Sequence, residues 1–284
     1  MKWYSILFFF FSVGTVFAQS ESWENIDRKT EIKWIVLNEI REQPRLGDYI
    51  TVYLDYLTDT DSLLYSTSTT EKGFLRLEVR EPEFNGDLMA AMLEMHLLDS
   101  AHLRIPANTF FPKILKMNRP TEVSGRSDVL VHTRLVKIQT AQELAIEMNN
   151  QRKKAMDSEP ERIQQYLDKI DFDGQQLPCG AYIKWTNRGR GVQPVATDQV
   201  QVRYIGELFS GKEFDRSEAP FKFPVGKDAV IQAWDEALVR MKEGDVVTLV
   251  TPSKAAYGAR GVPGTIIGPF EPLVFEIELL HVIR

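Results

Sequence analysis

"VGKDAVIQAWDEALVRMKEGD", residues 225 to 245, places a lone tryptophan at the head of a short amphipathic segment. Trp234, Ala237, Leu238 and Met241 recur at i, i+3, i+4 and i+7, so the spacing predicts a helix over 230–241. Asp228 stands where it can cap the start, and Lys242-Glu243-Gly244 ends the run with a lysine in the last turn and a glycine beyond it. A tryptophan on such a stripe either packs into a core or forms the floor of a pocket.

Outward from this helix the chain reads as β-strand. "QVQVRYIGEL" (199–208) alternates Val200, Val202 and Tyr204 with polar residues, and "DVVTLVTPS" and "LVFEIELLHVI" are further strands. The pattern occurs twice. Ile32-Lys33-Trp34 matches Ile183-Lys184-Trp185, and Pro44, Asp48 and Val52 match Pro194, Asp198 and Val202. Residues 88–111 align without a gap on 234–257, pairing Met95 with Met241, Asp99 with Asp245, Leu103 with Leu249 and Pro106 with Pro252. The offset falls from 151 (32 to 183) to 146 (95 to 241), as loop insertions would produce. Strands around one amphipathic helix in each copy predict an α+β class, a curved antiparallel sheet wrapped on a short α-helix. Between the copies, "TAQELAIEMNNQRKKAMDSEPERIQQYLDKIDFDGQQ" reads as two helical pieces broken near Ser158-Glu159-Pro160. It is expected to be a rigid spacer or a helical dimerisation arm, with a solvated connector as the default.

At 284 residues the chain has room for two domains, and a net charge of −6 without a basic run argues against a nucleic-acid surface. The single cysteine, Cys179, excludes an intrachain disulfide and has no histidine nearby to activate it. "MKWYSILFFFFSVGTVFAQS" reads as an export signal, with Lys2 ahead of an apolar run and small residues at Val16 and Ala18 for cleavage before Gln19. The alternative is an uncleaved anchor. No other segment is apolar enough to span a membrane. The histidines at 96, 102, 132 and 281 lack metal-ligand spacing, and no nucleotide or nucleophile-elbow motif is present.

Residues 198 to 284 resemble the FKBP family of peptidyl-prolyl cis-trans isomerases. The likeness is carried by "VQVRYIGELFSGKEFDRS", "PFKFPVGKDAVIQAW", "AAYGARGVPG" and "LVFEIELL", in order and with the family's spacing. It implies a pocket in which Tyr204, Phe214, Asp215, Trp234, Tyr257 and Phe275 are the catalytic set. Phe221, Phe223, Val230, Ile231 and Ile267 would bind the substrate, with Trp234 as the floor and the Ile231 N–H and Tyr257 hydroxyl fixing carbonyls. It implies no cofactor and no metal. Its partners would be proline-containing polypeptides, with macrolides as further ligands and a homodimer as one assembly. With the leader, it implies an exported, periplasmic folding catalyst; the alternative is a non-catalytic FKBP-like chaperone or peptide-binding module. The sequence departs from the family in a short 215–220 loop without its usual late basic residue, Arg216 being the one candidate substitute. It departs also at Val262, Ala233 and Ala237, and in the tip 265–272, whose Ile266, Ile267 and Phe270 suggest an apolar lip.

The expected layout is a signal peptide at 1–18, a degenerate FKBP-like domain at 28–139, a helical linker at 140–176 and an FKBP-type isomerase domain at 177–284. In the first copy Leu88 replaces Trp234, Leu54 replaces Tyr204, Tyr65-Ser66 replaces Phe214-Asp215 and Phe111 replaces Tyr257. The scaffold is kept without the pocket chemistry, so that domain is expected to be catalytically silent, holding clients or dimerising; the alternative is a weakly active pocket, since apolar walls alone do part of the work.

Overall fold

The computed structural model describes residues 22–36, 40–70 and 72–284. The expected leader, 1–18, lies outside the described residues. The chain divides into unit 1, ending at Ile146, and unit 2, Glu147–Arg284. Both are α+β, and each holds a seven-stranded antiparallel sheet.

In unit 1 the strands are β1 (Glu24–Asn25), β2 (Glu31–Val36), β3 (Tyr49–Thr58), β4 (Leu63–Ser66), β5 (Leu75–Glu78), β6 (Ser100–Pro106) and β7 (Asp128–Gln139). Helix α1 (Leu88–Glu94) and a single turn, α2 (Ala107–Thr109), accompany them. The long helix α3 (Ala141–Lys169) follows. Unit 2 then has β8 (Gln175–Gln176), β9 (Tyr182–Asn187), β10 (Gln199–Leu208), β11 (Glu213–Arg216), β12 (Phe221–Pro224), helix α4 (Gln232–Leu238), β13 (Val246–Thr251) and β14 (Leu273–Ile283).

The order β1-β2-β6-β7-β3-β4, with β5 on β3, becomes β8-β9-β13-β14-β10-β11 in unit 2, with β12 on β10. Hydrogen bonds repeat with it. Asp48 accepts from the Arg45 amide at 2.8 Å, as Asp198 does from Val195 at 3.0 Å. The Leu54 amide donates to the Thr67 hydroxyl at 3.1 Å, and the Tyr204 amide to that of Ser217 at 3.0 Å. Asp99 and Asp245 are both buried and accept from the amides of His96 and Lys242.

The core of unit 2 lies between the sheet and α4. Alternation puts Val200, Val202, Val247, Leu249, Phe275 and Ile277 on one face, against Ala233, Trp234, Ala237, Leu238 and Met241. The helix is shorter than the expected 230–241, and Asp228 does not cap it. Its N-cap is Ile231, which has no capping side chain. Instead Asp235, in the first turn, reaches back to accept from the Gly226 amide at 2.7 Å and the Asp228 amide at 3.3 Å. A carboxylate there suits the positive end of the helix.

The segment between the copies is not broken near Pro160, and part of it is not solvated. It is one helix, not two pieces, and Pro160 lies inside it. Thr140 and Glu143 form a reciprocal capping box at its start, with the Thr140 amide donating to the carboxylate at 2.8 Å. That bond holds Glu143 below the usual carboxylate range. Its second half is docked: Ile163 and Leu167 are buried against Val250 and Val274, on the sheet face opposite α4. Tyr166 stacks on Phe209 with ring centroids 4.1 Å apart. An interior proline costs about 3 kcal/mol. Burial of two aliphatic side chains, at about 1.5–3 kcal/mol each, offsets it and keeps the helix continuous.

Candidate active site

The sheet of unit 2 opens on its core face into a cavity of about 560 Å³. Nine of the eleven residues expected at the site line it: Tyr204, Phe214, Asp215, Phe221, Val230, Ile231, Trp234, Tyr257 and Phe275. Ala229, Gln232 and Ala256 complete the wall.

Trp234 is 4% exposed and lies in the cavity wall rather than beneath closed packing. Tyr204 meets its ring edge-on at 4.9 Å and Phe275 at 5.4 Å, and Phe214 meets Phe275 edge-on at 5.7 Å. Edge-to-face contacts of this kind fix ring orientations without filling the space between them. Among the described residues the indole N–H has no hydrogen-bond partner. Ile231 stands ahead of the first turn of α4, where amides lack an intrahelical acceptor.

The polar side chains in the lining are Tyr204, Asp215, Tyr257 and Gln232. The Tyr204 hydroxyl donates to Asp215 Oδ2 at 2.7 Å. Burial, and then that hydrogen bond, push the Tyr204 hydroxyl well above the ordinary phenol value. Burial and the charge of Asp215 raise Tyr257 as well. Both phenols therefore remain protonated donors across the neutral and mildly alkaline range.

Two expected residues lie elsewhere. Phe223 is buried behind the floor, its centroid 6.0 Å from that of Trp234. It pairs with Val200 deep in the sheet, whereas Phe221, two residues earlier and 41% exposed, reaches the rim. Ile267 is buried in the core and forms no lip. Its carbonyl accepts from Val262 at 2.9 Å and crowds Gly261, which turns the side chain inward. Arg216 does not stand in for the absent basic residue, because its guanidinium pairs with Glu213.

Gly206 also shapes the cavity, although no motif marks it. A Cβ there would lie 2.6 Å from the Phe214 ring and 3.1 Å from that of Phe275. Its counterpart in unit 1 is Tyr56, at the same strand position, buried and edge-on to Phe110 at 4.9 Å. Phe110 in turn stands where Ala256 lines the cavity of unit 2, four residues after the matched prolines Pro106 and Pro252. Burial pushes the Tyr56 hydroxyl up to about 12. The strand register also corrects one correspondence. Tyr56 pairs with Tyr65 as Gly206 pairs with Asp215, so Tyr65 replaces Asp215 and Leu64 replaces Phe214.

A family model described as FKBP-type peptidyl-prolyl cis-trans isomerase matches residues 191–280. The FK506-binding protein of Streptomyces anulatus is 38% identical over 118 residues, which cover 40% of this chain and 95% of that protein. The chain belongs to the FKBP family. The FKBP-type 22 kDa peptidyl-prolyl cis-trans isomerase of Escherichia coli (strain K12) is 44% identical over 107 residues, 37% of this chain and 50% of that protein. The chain thus spans about half the length of that FKBP relative. A crystal structure of a peptidyl-prolyl cis-trans isomerase from Pseudomonas syringae pv. tomato has 38% identity, covers 46% of this chain and 96% of that one, and has a TM-score of 0.42. The match to the FKBP model falls within unit 2, over the strands and helix that build the cavity. Among the described residues no helix is long and apolar enough to cross a membrane.

Proposed function

We propose that unit 2 catalyses cis-trans rotation about X–Pro bonds in polypeptides, and that unit 1 is a non-catalytic copy of the same scaffold. The observation that carries this is the cavity floored by Trp234 and walled by Tyr204, Phe214, Phe221 and Phe275, with the Tyr204 and Tyr257 hydroxyls in its lining.

Rotation of a peptide bond is resisted by about 18–20 kcal/mol of resonance. It needs neither a nucleophile nor a proton relay. It needs a site that binds the twisted imide better than the planar one. The twisted form has lost much of its amide dipole, so water favours it less than it favours the planar form. Walls of aromatic carbon exclude that water. The Tyr257 hydroxyl and the Ile231 amide would hold the flanking carbonyls, and the rings would enclose the proline. Lowering the barrier by about 7 kcal/mol corresponds to roughly a 10⁵-fold acceleration.

The substrates would be proline-containing chains outside the cytoplasm, a reading supported by the export-signal pattern at residues 1–18. A macrolide of suitable size is a second class of occupant for the same cavity. The silence of unit 1 is supported by Tyr56 and Phe110, which fill the space that Gly206 and Ala256 leave open.

The test is an isomerisation assay on proline tetrapeptides with the full chain. Trp234→Leu and Phe275→Ala are each expected to lower kcat/KM by at least about tenfold, the loss of one strong transition-state contact. A wild type no faster than buffer, yet able to suppress aggregation of an unfolded client, would replace this reading with that of a peptide-binding module.

A further inference from the structure

The loop that carries Tyr257 is held from behind by helix α3. Ser253 is 2% exposed and begins the 3₁₀ turn Ser253–Ala255, whose N-cap, Pro252, offers no side-chain acceptor. The first amide of such a turn is left without a partner. Here the Ser253 N–H donates to one oxygen of Glu159, and its hydroxyl donates to the other at 2.9 Å. The Ser253 carbonyl then accepts from the Ala256 amide at 2.9 Å and the Gly258 amide at 2.8 Å. Those two amides bracket Tyr257. An unbroken series of hydrogen bonds therefore runs from the Glu159 carboxylate to the backbone on either side of the pocket phenol.

Two more contacts reach the same loop from the same helix. Arg152 donates to the Ala259 carbonyl at 3.0 Å, and Arg162 pairs with Glu271. Residues 152, 159 and 162 lie seven and three apart, on one face of a helix. Gly258 and Gly261 sit at φ of 59° and 61°, a backbone conformation that glycine adopts readily.

We propose that Glu159 is a positioning residue for the isomerase site: through Ser253 it fixes where the Tyr257 hydroxyl meets the substrate carbonyl. This rests on the reading of Tyr257 given above. It places part of the site's machinery in the segment between the two copies, outside the 191–280 match.

The test uses the full chain with Glu159→Gln and Glu159→Ala. Glutamine can keep both contacts, its Oε1 accepting from the Ser253 N–H and its amide N–H donating to the Ser253 hydroxyl, but they are neutral and weaker; alanine loses both. Amide exchange at Ala256 and Gly258 is expected to quicken by about tenfold in the alanine variant, the scale of one hydrogen bond to a charged group. The glutamine variant should fall between, and β13 and β14 amides should stay protected. On proline peptides kcat/KM is expected to fall by a similar factor. Glu159→Ala should add little once Tyr257→Phe is present, because both changes act through one hydroxyl. Unchanged exchange at Ala256 and Gly258 overturns the proposal, and so do losses that multiply in the double variant. If the wild type turns over no peptide, the isomerase reading fails separately, and the exchange measurement alone decides whether Glu159 holds the loop.

Discussion

At the scale of single residues, the titratable side chains that line the cavity are Tyr204, Tyr257 and Asp215. Both phenols are raised above their ordinary value, Tyr204 by burial and its bond to Asp215, Tyr257 by burial and the Asp215 charge. A raised phenol stays a neutral donor up to and beyond its unfolded pKa of about 10, and ionises only as pH rises through the higher folded value. Stability tied to these protonated phenols has the same sign: it is fully present below about pH 10 and is lost above it. The expected outcome is a kcat/KM flat from pH 6 to 10, measured in overlapping buffers with a stopped-flow assay. A bell centred near pH 7 would instead reveal proton transfer in the rate-limiting step. Tyr204→Phe removes the 2.7 Å bond to Asp215. It should lower activity by about three- to tenfold, the worth of one hydrogen bond, without introducing pH dependence.

At the scale of elements, the stripe Trp234, Ala237, Leu238, Met241 and the alternation in β10 were legible because periodicity reports which face is buried. The ends of α4 were less so. Its N-terminal carboxylate is supplied by Asp235 reaching back, not by Asp228, and Asp228 itself adopts a φ of 52°. Pro160 suggested a break in α3, because the apolar residues that dock Ile163 and Leu167 lie far along the chain, on β13 and β14. Gly206 carried no visible signal alone. It gains meaning only when set against Tyr56, since a side chain there competes for the volume used by Phe214 and Phe275. Gly206→Ala is therefore expected to lower kcat/KM by at least about tenfold, with Tm moving only a few degrees, because the Phe214 ring, at the free end of its side chain, yields first. Activity equal to the wild type would mean that this glycine does not keep the cavity open.

At the scale of the whole chain, the family match ends short of the structural unit. It covers 191–280, and the expected isomerase domain began at 177, whereas unit 2 begins at Glu147 and includes most of α3. The difference is physical. Val250 and Val274 face away from α4, and without Ile163 and Leu167 they would meet water, as would Phe209 without Tyr166. Burying Ile163 and Leu167 contributes about 1.5–3 kcal/mol each. Net of the proline cost of about 3 kcal/mol, the two leave up to about 3 kcal/mol, against the 5–15 kcal/mol typical of a domain. A fragment of residues 177–284 is thus expected to unfold at lower urea than one of residues 147–284, by up to about 3 kcal/mol, and to aggregate through the bared sheet face. The longer fragment should keep the full chain's kcat/KM on a proline peptide. Urea midpoints and m-values for the two fragments measure the difference: a larger midpoint for 147–284 together with a larger m-value reports surface that α3 covers. Equal midpoints would make α3 a passenger on that face, and the docked contacts of Ile163 and Leu167 would then contribute nothing to folding.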